Sequence, residues 1–204
     1  MSGLNVTFAQ LFTEFEESFM FRKIRSLIGL HYFRKELENT GRDRKLTNLR
    51  DAKKIGILYN LDEVPDYDVV AEFVSRLQHD RKEVKALGYV KNKNLISRFL
   101  PKLSYDFFSG KDMNWFYKPV KDKVMDFIQK DFDLLIDLDM KNSLPLKYIS
   151  GLSMSMCRIG RYSEDSTSCY DLMLDVNPST PVNEFIRQIT HYLTIINNDG
   201  KATG

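Results

Sequence analysis

From residue 53 onward, short apolar runs alternate with stripes of apolar residues at helical spacing. Residues 55–59 form a compact apolar run rich in strand formers, and a helical stripe follows Pro65. A second apolar run at residues 84–90 completes a strand–helix–strand unit, whose crossover is normally right-handed and joins parallel strands. The pattern therefore predicts an α/β fold.

The rest of the chain repeats this alternation up to a final helix. Thr180 is its predicted N-cap and Pro181 its first residue, because both residue types are favoured at those positions. The apolar face of this helix runs from Val182 to Ile196. The other predicted elements are strands at residues 105–108, 134–136, 156–160 and 170–176, and helices at residues 95–100, 120–130 and 144–154. Helices interleaved with five or six short strands predict a Rossmann-like three-layer sandwich with a mostly parallel sheet.

A basic helix is predicted to precede this body. One apolar arc of the helix gathers Met20, Phe21, Ile24, Leu27, Ile28 and Tyr32, and a second patch gathers Leu30, Phe33 and Leu37. Two apolar faces separated by basic residues predict a helix that packs on the body or lies between two partners. Residues 41–50 are interpreted as a polar linker with exposed bases. The predicted organisation is a basic arm and linker at residues 1–52, a Rossmann-like domain at 53–197 and a frayed tail at 198–204.

Composition and charge add a division within the chain. The chain has 204 residues, of which 43% are hydrophobic, and this content can fill a core, which excludes a mainly disordered or collagen-like protein. The net charge of +2 is uneven, since residues 1–20 carry −3, residues 21–54 carry +7 and the remainder carries −2. The basic arm therefore holds the charge, which bears on binding partners rather than on the fold.

The cellular location can also be predicted from composition. Two cysteines are too few for a disulfide scaffold and indicate a reducing compartment. No run of about 18 uncharged apolar residues appears, so no transmembrane segment is predicted. The first 20 residues lack the Lys or Arg that begins a secretory signal, and we expect a cytoplasmic protein. A further hypothesis places the start of translation at Met20, and a peptide detected within residues 2–19 would contradict it.

Candidate chemistry is sought beyond the carboxyl ends of the strands, where ligands bind in open α/β sheets. Asp137 and Asp139 follow the predicted central strand and project from the same side, as a divalent cation and its phosphate ligand require. Asn60 and Arg161 stand at the ends of other strands and would assist. One interpretation is a ligand or metal site formed by these four residues. The other is that the two aspartates end a strand and cap the following turn.

No cofactor is predicted. The first strand runs into an acidic loop without glycine at residues 60–65, and neither G-x-G-x-x-G nor G-x-x-x-x-G-K-[ST] occurs in the chain. An acidic loop repels a pyrophosphate, so NAD, FAD or ATP bound in the usual manner is disfavoured.

The basic arm is the other candidate for function. Its predicted partner-binding residues are Arg22, Lys23, Arg25, Arg34 and Lys35. Such a cluster predicts contact with RNA, with a ribosomal surface or with anionic lipid. The other interpretation is a docked helix followed by a solvated linker.

Several stretches of the body resemble those of a family of small bacterial proteins of unknown function. They are the strand Ile55-Gly56-Ile57-Leu58-Tyr59-Asn60, the central Asp133-Leu134-Leu135-Ile136, the strand Arg158-Ile159-Gly160 and Tyr170-Asp171-Leu172-Met173-Leu174 before the last helix. The resemblance covers most of the chain, from about Met20 onward, and implies the fold without an assigned activity.

A second, distant resemblance concerns enzymes. The central strand through Leu138 and the later Cys157-Arg158-Ile159-Gly160 are similar to the nucleotide-free N-terminal half of heptosyltransferase-type glycosyltransferases. Those enzymes hold the active site between two Rossmann-like halves, and the 44 residues after Gly160 are too few for a second half. The resemblance therefore implies the fold only.

We therefore expect a non-enzymatic binding or interaction protein that uses its basic arm for an anionic or protein partner. The alternative is a small metal-dependent enzyme, or a degenerate glycosyltransferase-like domain, that acts on a phosphorylated or nucleotide-like ligand. In that alternative Asp137 and Asp139 are metal ligands.

Overall fold

The computed structural model describes residues 8–61, 64–91 and 103–196, with side chains described from residue 20 in the first range and from residue 67 in the second. The strands are β1 (Lys54–Leu61), β2 (Glu83–Val90), β3 (Tyr105–Phe108), β4 (Leu134–Asp137), β5 (Cys157–Arg161) and β6 (Leu172–Leu174). The helices are α1 (Phe8–Glu38), α2 (Val64–His79), α3 (Asp122–Gln129), α4 (Leu144–Leu152) and α5 (Val182–Ile195). The helix predicted at residues 95–100 and the predicted frayed tail lie outside the described residues. Within those ranges, every helix is too short or too polar to cross a bilayer.

The six strands form one sheet in the order β3-β2-β1-β4-β5-β6, and all its strand pairs are parallel. This is the doubly wound order, in which the direction of winding reverses between β1 and β4. At that junction Ile55 lies beside Leu134, and Leu58 lies beside Asp137. The predicted Rossmann-like α/β fold with a mostly parallel sheet and an N-terminal helix is confirmed.

Side chains along β1 alternate between two buried layers, because neighbouring residues of a strand point to opposite faces. Ile57 packs in the layer of α2, with Phe73. Leu58 packs in the opposite layer, with Phe127 of α3. The central strands are covered on both faces, which explains why residues 134–136 form a continuous apolar run.

The C-terminal half of α1 packs on α4 through one of its two apolar faces. Phe33 is 1% exposed, and its ring meets that of Tyr148 edge-on, with centroids 4.9 Å apart. The Tyr148 hydroxyl donates to the carbonyl oxygen of Gly29 at 2.7 Å. A Cβ at Gly29 would lie 2.9 Å from Leu144 Cδ2 and closer still to the carbonyl oxygen of Phe116. Glycine at this position therefore allows the close approach of the helix.

The segment between α1 and β1 is packed against the body, which corrects in part the prediction of a polar linker with exposed bases. The Arg42 side chain is only 3% exposed. The backbone amide of Lys45 donates to the Met156 carbonyl at 3.2 Å, and that of Leu49 to the Leu193 carbonyl at 3.1 Å. Because backbone groups must be hydrogen-bonded when buried, this segment behaves as part of the fold.

The start of α5 also differs from the prediction. Thr180 is not the N-cap, because Pro181 occupies that position, with φ −59° and ψ 143° and without a side-chain capping bond. The amide of Thr180 instead donates to the Asn177 carbonyl at 2.9 Å, in a turn that precedes the helix.

Candidate functional site

The carboxyl ends of β1 and β4 bring Asn60, Asp137 and Asp139 together at the switch point of the sheet. Asp137 ends β4, and Asp139 lies in the loop that follows. The Asn60 side-chain amide donates to Asp139 Oδ1. The fourth predicted residue, Arg161, ends β5, where its Nη1 donates to the carbonyl of Tyr162 at 3.0 Å. Three of the four predicted residues therefore form one polar cluster.

The carboxylate of Asp137 is 2% exposed and accepts three hydrogen bonds from the chain. The Asp139 amide donates to Oδ1 at 3.0 Å, and the hydroxyls of Ser150 and Tyr170 donate to Oδ2, the latter at 2.7 Å. A Cβ at Gly160 would lie 2.6 Å from Tyr170 Cζ, so glycine allows this ring to reach across β5. Burial raises the pKa of Asp137 to about 6, and the charge of Asp139 adds to the rise.

Asp139 caps the loop between β4 and α4. Its Oδ1 accepts from the Lys141 amide at 2.9 Å, and its Oδ2 accepts from both the amide and the hydroxyl of Ser143 at 2.6 Å. Each oxygen of the two carboxylates thus accepts a hydrogen bond, which favours the interpretation as strand end and turn cap. Across the described ranges, no three His, Cys, Asp or Glu side chains gather in a way that could hold a metal ion. The metal site stays a prediction without support from these contacts.

A cavity of about 340 Å³ opens beside this cluster. Its lining includes Asn60 of β1, Lys91 after β2, and Lys141 and Ser143 of the loop before α4. Ser26 of α1 closes one side, so the N-terminal helix forms part of the wall. The position at the carboxyl edge of a doubly wound sheet is where such folds bind small molecules.

The five predicted partner-binding residues lie along α1 in different surroundings. Arg25 donates from Nε to the Trp115 carbonyl oxygen, and its guanidinium lies 4.0 Å above the Tyr117 ring. Arg34 is exposed and lies 3.9 Å from the Asp165 carboxylate. The exposed residues of the set also include Arg22, Lys23 and Lys35. Arg25 therefore helps to hold the helix in place, and the other four carry charge at the surface.

Helix α1 also exposes the second of its apolar faces. We call this the open face, and it comprises Met20, Phe21, Ile24, Leu27 and Tyr32, which are 57%, 64%, 44%, 66% and 45% exposed. The opposite patch, with Phe33 at its centre, is packed on the body. One of the two predicted apolar faces of α1 therefore packs in the core, and the other is exposed at the surface.

A second cavity, of about 330 Å³, lies between the C-terminal end of α1, the following segment and β5. Guanidinium groups dominate its lining, which includes Arg34, Arg42, Arg44 and Arg158 together with Glu38 and Ser168. We call this cavity the arginine pocket. A surface so rich in arginine attracts anions.

Arg158 is buried in the wall of the arginine pocket and is 2% exposed. Its Nη1 donates to the carbonyl oxygens of Gly151 at 2.6 Å and Cys169 at 3.4 Å, and its Nη2 donates to the carbonyl of Ser153. These acceptors are uncharged. Burial lowers the pKa of Arg158 to about 10, with the neighbouring charge of Arg42 as the second cause.

Arg42, unlike Arg158, forms an ion pair with a carboxylate. Its Nη2 donates to both oxygens of Asp171 at 2.6 Å, and its Nη1 donates to the carbonyls of Ser155 at 3.1 Å and Met156 at 2.8 Å. Asp171 also accepts from the backbone amide of Arg158 at 2.9 Å. The Nε atoms of Arg42 and Arg158 are both buried without a hydrogen-bond partner in the described structure. Asp171 thus bonds the guanidinium of Arg42 and the backbone, but not the guanidinium, of Arg158.

The arginine pocket is absent from the sequence prediction, in which Arg42 and Arg44 are linker bases and Arg158 belongs to a strand. The sequence holds one indication of this pocket. Arg158 stands between Cys157 and Ile159 in an otherwise apolar strand, and a charged side chain in a buried strand requires special surroundings. The contribution of Arg42 comes from tertiary packing and leaves no local pattern.

The chain belongs to a family of unknown function (DUF6913), whose model matches residues 25–196. The predicted resemblance to an uncharacterised family is thereby confirmed. The match includes the whole sheet and the lining of the arginine pocket, and it begins within α1. No curated protein matches the sequence.

Proposed function

We propose that this member of the DUF6913 family is a protein-binding module that docks one partner protein on helix α1. The observation that supports the proposal best is the open face of α1. Leu27 and Phe21 are 66% and 64% exposed, and they share this face with other large apolar side chains. Contiguous apolar patches on protein surfaces mark interaction sites far more often than isolated apolar residues do.

Apart from Tyr32, whose ring stacks on Phe116, the open face is not what holds the helix on the body. That role belongs to the opposite face, where Phe33 is buried against Tyr148 and Gly29 accepts the Tyr148 hydroxyl. Burying apolar surface is favourable by about 25 cal/mol per Å², so a partner that covers the open face gains stabilisation that the chain itself leaves unused.

Helix α1 is held rigidly enough to serve as a preformed docking surface. Lys118 forms an ion pair with Glu36 at 2.7 Å, and the Tyr32 ring stacks on Phe116 with centroids 4.8 Å apart. Arg25 bonds to the backbone of the same segment. A surface ordered before binding avoids part of the entropy cost of ordering on association.

Charge around the open face defines the partner. By helical spacing, Lys23 and Arg34 lie along one side of the apolar stripe, and Lys35 continues the line of the stripe beyond Tyr32. The complementary surface is a groove on a protein, with an apolar floor and an acidic rim. RNA offers phosphates but little apolar surface, and an interfacial lipid-binding helix turns its other face to water, whereas the other face of α1 is buried.

The test uses the full chain with a photo-crosslinking amino acid at Leu27. The matched control carries the same amino acid at Tyr192, which is 46% exposed on α5. We expect a single identified protein to be attached at position 27 and not at position 192, through a peptide in which acidic residues flank apolar ones. With that partner purified, Leu27→Asp should weaken binding by about tenfold or more, since one central apolar contact is worth above 1 kcal/mol.

Leu27→Asp should leave the urea unfolding midpoint unchanged, because Leu27 is 66% exposed, so a loss of binding will not reflect unfolding. Adducts between two copies of the chain, together with dimers in analytical ultracentrifugation, would overturn the proposal in favour of self-association. Attachment to RNA or to lipid alone, or equal labelling from positions 27 and 192, would also overturn it.

A further inference from the structure

We propose that the arginine pocket binds the phosphoryl group of a small phosphate monoester. The inference rests on the residues that line the cavity, of which Arg34 alone also borders the open face of α1, and it does not require the proposed docking. Its basis is an excess of positive charge, two buried guanidinium groups with unused donors, and a cavity of suitable size.

The arginine pocket and its immediate surroundings hold more cations than carboxylates. The cations of the lining are Arg34, Arg42, Arg44 and Arg158, and the carboxylates are Glu38 of the lining with Asp165 and Asp171, which lie against Arg34 and Arg42. If each carboxylate neutralises one cation, one positive charge remains. This excess favours an anion in the pocket, and a phosphate monoester, which carries close to two negative charges at neutral pH, is attracted more strongly than a single carboxylate.

Two of these cations, Arg42 and Arg158, are buried, and only Arg42 is paired with a carboxylate. The Arg42 side chain is 3% exposed and Arg158 is 2% exposed, and the Nε atom of each has no partner in the described structure. Asp171 bonds the guanidinium of Arg42 but only the backbone amide of Arg158. A buried charge is stable only when it is paired and hydrogen-bonded, so an anion in the pocket would supply what the chain does not.

The donors and the volume of the cavity favour a phosphate ester over other anions. Guanidinium groups present parallel N–H donors that match the oxygens of phosphate, and several of them around one cavity suit a tetrahedral dianion better than a single carboxylate. The volume of about 330 Å³ is within the range of small-molecule sites and exceeds what a lone phosphate fills. Leu37 adds apolar surface and Ser168 a hydroxyl for the organic part of the ligand.

The test follows the arginine Nε–H signals of the full chain by proton–nitrogen NMR. Inorganic phosphate, O-phosphoserine and acetate are added in turn at constant ionic strength, with chloride as the background anion. We expect the Nε–H signals of Arg42 and Arg158 to shift saturably, with O-phosphoserine binding most tightly and acetate most weakly. Arg44→Gln, at an exposed lining position, should weaken binding by about tenfold. The control Arg50→Gln, exposed in the same segment but outside the cavity lining, should weaken it by less than about twofold.

Both substituted residues are exposed, so both variants should keep the urea midpoint of the wild type. Nε–H signals that do not move, or that move linearly without saturation, would overturn the proposal. Equal weakening by Arg44→Gln and Arg50→Gln would show unspecific charge attraction and overturn it as well. Tighter binding of inorganic phosphate than of O-phosphoserine would reject a monoester as the ligand. None of these outcomes affects the docking proposal, whose test uses Leu27.

Discussion

Asp137 and Arg158 are both 2% exposed, but their surroundings differ in kind. Both oxygens of Asp137 accept hydrogen bonds, from one amide and from the hydroxyls of Ser150 and Tyr170. Arg158 donates from its two Nη atoms to neutral carbonyls, and its Nε has no partner in the described structure. The carboxylate at the switch point is thus saturated by the chain, and the guanidinium beside β5 is not.

This difference shows that burial of a charged group does not by itself identify a functional site. A saturated buried charge such as Asp137 stabilises the local fold, because its hydrogen bonds fix the loop and helix around it. In Arg158, by contrast, one buried donor, Nε, has no acceptor in the described structure. In this protein the rule for doubly wound sheets points to the first cluster, and hydrogen-bond accounting points to the second.

The largest expected effect is the loss of stability when the Asp137 carboxylate is removed. Asp137→Ala leaves the Asp139 amide and the Tyr170 hydroxyl buried without an acceptor, whereas the Ser150 hydroxyl can turn to the Leu146 carbonyl. Each buried donor without an acceptor costs about 1–3 kcal/mol. We expect the free energy of unfolding to fall by about 4 kcal/mol in urea titrations. Asp131→Ala is the control, because that side chain is 74% exposed and its ion pair with Lys54 lies in solvent, so the free energy of unfolding should stay close to that of the wild type. Equal losses in the two variants would contradict a structural role of Asp137.

The saturated cluster could be predicted from sequence in part. The run at residues 134–136 identifies the central strand, because a strand buried on both faces is apolar throughout, and the two aspartates follow at its end. The partner Tyr170 could not be predicted, since its contact depends on the neighbouring position of β5 and on Gly160. The arginine pocket depends still more on tertiary structure, because Arg42 reaches Asp171 only after the chain has crossed the sheet.

The second prediction concerns Asp171, the carboxylate that compensates the arginine pocket. Asp171→Asn removes the counter-charge of Arg42, whose side chain is 3% exposed, and should lower the free energy of unfolding by about 3 kcal/mol. If the pocket accepts phosphate, added phosphate should raise the urea midpoint of this variant more than that of the wild type, because the anion replaces part of the lost charge.

Asp165→Asn is the matched control for Asp171. The Asp165 carboxylate lies 3.9 Å from Arg34, and both side chains are more than half exposed, so this variant should differ from the wild type by less than about 0.5 kcal/mol. If phosphate raises the urea midpoint of Asp171→Asn no more than that of the wild type, the arginine pocket does not differ from the Asp137 cluster in accepting an outside charge.

The third prediction addresses α1, which forms a wall of both cavities through Ser26 and Arg34. A Cβ at Gly29 would meet the Phe116 carbonyl and lie 2.9 Å from Leu144 Cδ2, so the helix must shift. We expect Gly29→Ala to lower the free energy of unfolding by about 2 kcal/mol in urea titrations, as overpacking usually does.

Gly41→Ala is the control for Gly29, because no atom lies within 4 Å of the added Cβ at that position. Its effect should stay within about 0.5 kcal/mol. If Gly29→Ala and Gly41→Ala are equally stable, α1 is not packed closely enough on the body to form a wall of either cavity.

The smallest expected effect, and the sharpest test of saturation, is the pH dependence attached to Asp137. Burial raises its pKa to about 6 in the folded protein, above the ordinary value of 3.8, so the folded state binds a proton more tightly than the unfolded state. The contribution of Asp137 to stability therefore grows as pH falls from 7 through 6 towards 3.8, and is lost as pH rises. The surroundings can accept the proton, because the Ser150 hydroxyl lies 3.0 Å from the Leu146 carbonyl and can turn to it while protonated Asp137 donates to Ser150 Oγ.

The measurement is the difference in free energy of unfolding between the wild type and Asp137→Asn at pH 7 and at pH 5. Subtraction removes the opposite pH dependence of exposed carboxylates such as Asp131, whose pKa the hydrogen bond from Lys54 lowers. One pKa unit corresponds to about 1.4 kcal/mol, and we expect the wild type to gain about that much on the variant as pH falls over this interval. A difference that stays flat would mean that the hydrogen bonds to Asp137 hold its pKa near the ordinary value in spite of burial. If the wild type instead loses stability relative to Asp137→Asn as pH falls, the hydrogen bonds hold the pKa of Asp137 below its ordinary value. Hydrogen bonding would then outweigh desolvation for this carboxylate at the switch point of the sheet.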